Sequence, residues 1–86
     1  MKNIQNKILE VINGTIDSIL SENQLDEDLS QFGMDSLKFI STVVILEESF
    51  DIQVPDEYLL PTEMNTVRKI DKVVSEALAF KNNTLN

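Results

Sequence analysis

Apolar residues recur along the first twenty positions at Ile4, Ile8, Val11, Ile12, Ile16, Ile19 and Leu20. Steps of three and four mark one face of an amphipathic helix, predicted over residues 3–20. Asn13-Gly14 is a turn signal inside this stretch, but the period runs through it, so the helix is kept at a glycine cost of ~1 kcal/mol. Residues 21–35 are polar and acidic, and Leu25, Leu29 and Phe32 are the apolar positions that pin this long loop to a core. A structureless connection of this length inside a small domain usually carries function.

A second helix is predicted over 36–50. Phe39, Val43, Leu46 and Phe50 form its core stripe. Leu37, Ile40 and Val44 form another stripe about 130° away at 100° per residue. Either the helix is buried on two sides, or Leu37 and Val44 stay exposed as a docking surface, with Glu47 and Glu48 steering a partner. Asp51 to Pro55 then break the helix, with Ile52 and Val54 as anchors. Pro55-Asp56-Glu57 opens a short helix that ends near Pro61. A last helix starts at Asn65 or Thr66 and turns Val67, Ile70, Val73, Val74, Ala77 and Leu78 inward. No segment reads as a strand. The expected fold is all-α, an antiparallel bundle of three main helices and one short one. Residues 1–80 form the domain and 81–86 a flexible tail.

Composition narrows the chemistry. The chain of 86 residues has no cysteine and no histidine, which removes thiol nucleophiles, disulfides and the usual metal ligands. A net charge of −8 argues against nucleic acid and anionic membranes, and favours basic protein surfaces as partners. The first residues lack the apolar run of a signal peptide, and no stretch is long enough to insert in a membrane, so a cytoplasmic monomer is expected. A calcium loop begun at Asp26 fails, because Gln31 stands where glycine must turn the chain and Leu37 where a glutamate must ligate.

One group remains. Ser36 follows Asp35 where the polar loop meets the second helix. Asp35 is suited to cap that helix, and Ser36 then occupies the first helical position, where free amides and the helix dipole favour an anion. Asp-Ser also reads as a plain helix cap, the role it would have in an acidic helical adaptor without a prosthetic group. Ser36 has no histidine to take its proton, and Lys38, two residues on, faces away, so hydrolase chemistry is excluded.

Gly33-Met34-Asp35-Ser36-Leu37 resembles the phosphopantetheine attachment motif of acyl carrier proteins. Asp28-Leu29 before it and Glu47-Glu48-Ser49-Phe50-Asp51-Ile52, Val54-Pro55-Asp56-Glu57 and Thr66-Val67 after it agree with that family's layout over nearly the whole chain. The resemblance implies a non-enzymatic, stand-alone carrier. A phosphopantetheinyl transferase, using magnesium and coenzyme A, would attach 4′-phosphopantetheine to Ser36, and the arm would carry acyl groups as thioesters. It also implies that Asp35, Leu37, Val44, Glu47, Glu48 and Asp56 face acyl-loading, condensing or tailoring enzymes with basic docking surfaces. Lys38 and Ser41 depart from fatty-acid carriers, which usually have acids there, and shift the reading toward a polyketide, hybrid or other specialised pathway. Met34 stands where peptide carriers often have a second glycine. An acyl cargo is therefore preferred over the alternative of an aminoacyl, peptidyl or D-alanyl carrier.

Overall fold

A computed structural model describes residues 2–60 and 62–84. Three helices, α1 (Lys2–Ile16), α2 (Ser36–Phe50) and α3 (Val67–Thr84), are joined by irregular segments that contain three short 3-10 turns, and there is no strand among the described residues. α1 packs against both α2 and α3. Its last turn lies beside the residues leading into α2, where Ser18 Oγ donates to the Phe32 carbonyl at 3.4 Å, so α1 and α2 run in opposite directions. Ile8, Ile12, Leu46, Val67, Ile70 and Val74 are fully buried where the helices meet, with Leu25 and Leu29 pinning the loop as the pattern predicts.

α1 stops four residues short of its predicted end. Asp17 adopts a left-handed conformation (φ 59°), which aspartate tolerates better than most residues. Asn13 then grips the chain as it turns. Its Oδ1 accepts from the Leu20 amide at 2.9 Å, and its Nδ2 donates to the Leu20 carbonyl. Leu20 is buried in consequence, whereas Ile19, expected on the inner face, is 92% exposed. The glycine is tolerated inside α1 as predicted, and nothing lies within 4 Å of where its Cβ would be.

The loop before α2 is more ordered than its composition implies. Ser21 and Gln24 form a reciprocal capping box around the turn Glu22–Gln24. Asp28 caps the turn Leu29–Phe32 through the Ser30 amide at 3.0 Å. The loop is also bonded to the start of α3. Leu29 N–H donates to the Asn65 carbonyl at 2.9 Å, and Arg68 N–H donates to the Leu25 carbonyl at 3.0 Å.

α2 has the predicted bounds. Thr42, buried in it, is satisfied by donating to the Lys38 carbonyl at 2.8 Å. The helix ends at Asp51, again left-handed (φ 53°), whose amide returns to the Glu47 carbonyl. The short helix expected after Pro55 is a single 3-10 turn, Asp56–Tyr58, and Pro61, its expected end, lies outside the described residues. Thr66 caps α3 through the Lys69 amide at 3.1 Å. α3 runs on to Thr84, past the point at residue 81 where the tail is predicted to begin. Lys81 in its last turns donates to Asp51 Oδ2 at 2.9 Å, so α2 and α3 finish at the same end of the molecule. Leu85 and Asn86 lie outside the described residues.

Candidate functional site

The segment that presents Ser36 is built residue by residue. Gly33 ends the preceding turn at φ 99°, a conformation that favours glycine, and its amide returns to the carbonyls of Leu29 and Ser30. Met34 follows, half-buried against the core, with its amide on the Leu29 carbonyl at 3.1 Å. Asp35 is extended and caps α2, accepting the Lys38 amide on Oδ1 at 2.9 Å, while its carbonyl takes the Phe39 amide at 2.8 Å. Ser36 is therefore the first residue of α2, and its side chain is exposed. Among the described residues, no partner meets its hydroxyl, and no acceptor meets the amides of Ser36 and Leu37. The arrangement offers an accessible oxygen beside two free N–H groups at the positive end of a helix, which suits a phosphodiester.

Lys38 gains a partner outside its own helix. Its Nζ, on a helix position expected to face away from Ser36, folds back onto the preceding loop and donates to the Gly33 carbonyl at 3.3 Å. Its hydrogen-bond partner lies on the loop, beyond what helix geometry alone can indicate.

The second stripe of α2 is open to solvent. Leu37 is 81%, Ile40 51% and Val44 45% exposed, which rules out burial of the helix on both sides. Glu48 and Asp56 are exposed as well, Asp56 as the first residue of its turn. Glu47 differs from Glu48. It is half-buried, and its Oε2 accepts the Val54 amide at 2.9 Å, which fastens the chain leaving α2. Neither spacing nor residue type indicates that bond, since it depends on where Val54 returns.

Asp28 also has a structural task. The Ser30 amide, then the Ser30 hydroxyl, hold its carboxyl below the ordinary value of 3.8. The signal was present as an aspartate followed two residues on by serine. No group of three or more carboxylates, histidines or cysteines among the described residues could hold a metal ion. No described helix is long and apolar enough to cross a membrane.

Comparison with known proteins agrees with this geometry. The family described as "Phosphopantetheine attachment site" matches residues 6–74. The acyl carrier protein of Buchnera aphidicola subsp. Acyrthosiphon pisum is 35% identical over 72 residues, covering 80% of this chain and 85% of the relative. A solved structure described as "The ishigamide ketosynthase/chain length factor" contains a chain that superposes with a TM-score of 0.70 at 28% identity, over 87% of this chain and 93% of that one. The acetyl actinorhodin acyl carrier protein of Streptomyces coelicolor superposes with a TM-score of 0.66 at 25% identity, over 93% and 91% of the two chains. The chain belongs to the acyl carrier proteins: it is a carrier and not an enzyme, and the prosthetic group of its family is a covalently attached phosphopantetheine.

Proposed function

We propose that Ser36 holds the phosphopantetheine and that the protein carries acyl intermediates for a specialised biosynthetic pathway. One observation carries the attachment: Ser36 has an exposed, unpartnered hydroxyl at the first position of α2. In the transfer from coenzyme A, Ser36 Oγ forms the new bond to the phosphate nearest the pantetheine. The phosphoanhydride breaks, the nucleotide leaves with the electron pair, and the hydroxyl proton passes to a base of the transferase, since this chain has no histidine. The free amides of Ser36 and Leu37 then face the phosphate charge. When bound, the arm supplies the thiol on which cargo is held as a thioester. The chain's contribution is confinement: cargo on a short tether meets partner active sites at high effective concentration.

The specialised pathway rests on Lys38 and Ser41, where fatty-acid carriers usually have acids, and on the fold shared with carriers of actinorhodin synthesis. Condensing or tailoring enzymes would dock on Leu37, Val44, Glu48 and Asp56, with Glu47 contributing charge while it holds Val54. Incubation with coenzyme A, magnesium and a broad-specificity phosphopantetheinyl transferase is expected to add one phosphopantetheine by intact mass, and none to Ser36→Ala. Labelling that persists in the variant, or never occurs in the parent protein, refutes the assignment. The variant is expected to fold with stability within about 0.5 kcal/mol of the parent, because Asp35 supplies the cap.

A further inference from the structure

The chain that leaves α2 runs back along the last turns of α3, and two polar bridges tie them together. Lys81 Nζ donates to Asp51 Oδ2 at 2.9 Å, and the Tyr58 hydroxyl donates to Glu76 Oε1 at 3.5 Å. Val73, Glu76, Ala77 and Phe80 lie on one face of α3 at steps of three and four. Between that face and Ile52, Val54 and Pro55 a trough of about 850 Å³ stays open. Ile52, Val54 and Val73 are buried in its floor, whereas Phe80 is 71% exposed at its lip. A lone aromatic in water is ordinary; one beside an open apolar trough marks a surface that a partner can cover.

Charge decides what kind of partner. Asp51, Asp56, Glu57 and Glu76 line the trough against one ammonium, that of Lys81, which already bonds Asp51. The Tyr58 phenol registers this excess: the charge of Glu76, then partial burial, then the charge of Glu57 push it above its ordinary value of 10.0. An apolar floor under an acidic rim is complementary to a bulky apolar side chain flanked by lysine or arginine. The same rim repels nucleic acid, an anionic membrane and a second copy of this chain, whose net charge is −8. The trough is also remote from Ser36, because α2 lies between them and spans about 20 Å at 1.5 Å per residue. Only Asp56 belongs both to the trough and to the docking face proposed on α2.

We propose that the trough between α3 and residues 51–58 is a second docking site, which takes a basic segment with a bulky apolar anchor from a partner protein and leaves Ser36 open. Phe80 packs against the anchor, and Asp56, Glu57 and Glu76 meet the flanking cations. Such a partner holds or recruits the carrier without touching its arm, a role separate from that of the enzymes that act on the cargo. The inference does not depend on which residue bears the arm.

The probe is a short amphipathic peptide of leucine, phenylalanine and lysine, and its twin has glutamate at every lysine position. Titration into the labelled protein, followed by NMR, is expected to shift the amides of Val54, Ala77 and Phe80 with the lysine peptide and not with the glutamate one. Those of Ser36 and Leu37 are expected to stay unmoved. Phe80→Ala, which folds normally because the side chain is exposed, is expected to weaken binding about tenfold, as loss of an anchoring aromatic does. Glu76→Gln is expected to weaken it about threefold at low salt and not at high salt. Glu22→Gln, an equal change of charge at an exposed loop residue, is expected to leave affinity unchanged. Shifts centred on Leu37, Val44 and Glu48 overturn the proposal, as does undiminished affinity in Phe80→Ala. Equal losses in Glu22→Gln and Glu76→Gln overturn it too, by showing attraction to net charge alone, and so does a lysine peptide that fails to bind.

Discussion

Glu47 and Glu48 are adjacent acids on one helix, yet truncating them should give very different results. Glu47→Ala removes the acceptor of the Val54 amide, a 2.9 Å bond that closes the chain back onto the end of α2. Hydrogen bonds to a charged group contribute about 1.5–3 kcal/mol. Glu47 is half-buried and water can partly replace it, so the low end applies, about 1.5 kcal/mol. Glu48 is exposed and makes no such bond, so Glu48→Ala should fall within about 0.5 kcal/mol of the parent. In a domain of this size, whose total stability is roughly 4–13 kcal/mol, the first loss is plainly measurable. It corresponds to a drop in Tm of about 6–12 °C. Urea unfolding followed by circular dichroism provides the assay, with an unchanged m-value showing that the denatured state is comparable. Glu47→Gln keeps a side-chain carbonyl at the same reach and should recover part of the loss. Equal stabilities for the two alanine variants would refute the reasoning and return Glu47 to the surface charges. The difference also bears on partner studies, because reversing the charge at 47 alters the end of α2 as well as the docking charge. Glu48→Lys is the cleaner probe of steering, and its effect on association rate should fade at high salt.

Gly14→Ala should raise stability by about 1 kcal/mol in thermal or urea unfolding, since the position is helical and nothing crowds the added methyl. A loss instead would mean that α1 and α2 need to approach more closely there. Asp28 carries a pH dependence whose sign follows from its depressed value. Its contribution is fully present above the unfolded value of 3.8 and is lost as pH falls through the folded value. The parent protein should therefore lose stability on acidification below about pH 4, and Asp28→Asn should flatten that part of the curve. Parallel curves for the two proteins would show that the Ser30 contacts do not favour the charged form.

What was legible in the sequence followed local rules. α2 begins and ends where predicted, because its cap, Asp35, acts on the adjacent first turn and an aspartate at 51 accepts the left-handed turn that closes it. The core positions of α3 follow from their period and from Thr66. Hydrophobic spacing overextends α1 because it continues through Ile19 and Leu20, while the helix is ended by a left-handed Asp17 and the clamp of the Asn13 side chain on Leu20. The candidate site was legible at Asp35 and Ser36 for the same local reason. Lys38 folding onto Gly33, Glu47 holding Val54 and the bonds from the loop to α3 depend on how the chain returns on itself. The contacts of Asp28 with Asn65 and of Asp26 with Arg68 join positions 37 and 42 residues apart, beyond the reach of any periodicity argument.

The bonds from Leu29 to Asn65 and from Arg68 to Leu25 fix the order in which this protein becomes usable. The segment that displays Ser36 is braced by residues made some thirty positions later, at the opening of the final helix. During synthesis the nascent chain exposes its serine before that brace exists, so the reactive hydroxyl takes its finished setting only after Asn65 and Arg68 have emerged. Any enzyme that reads the shape around the serine, and not the pentapeptide alone, thereby meets that shape only once the opening of the final helix has been made.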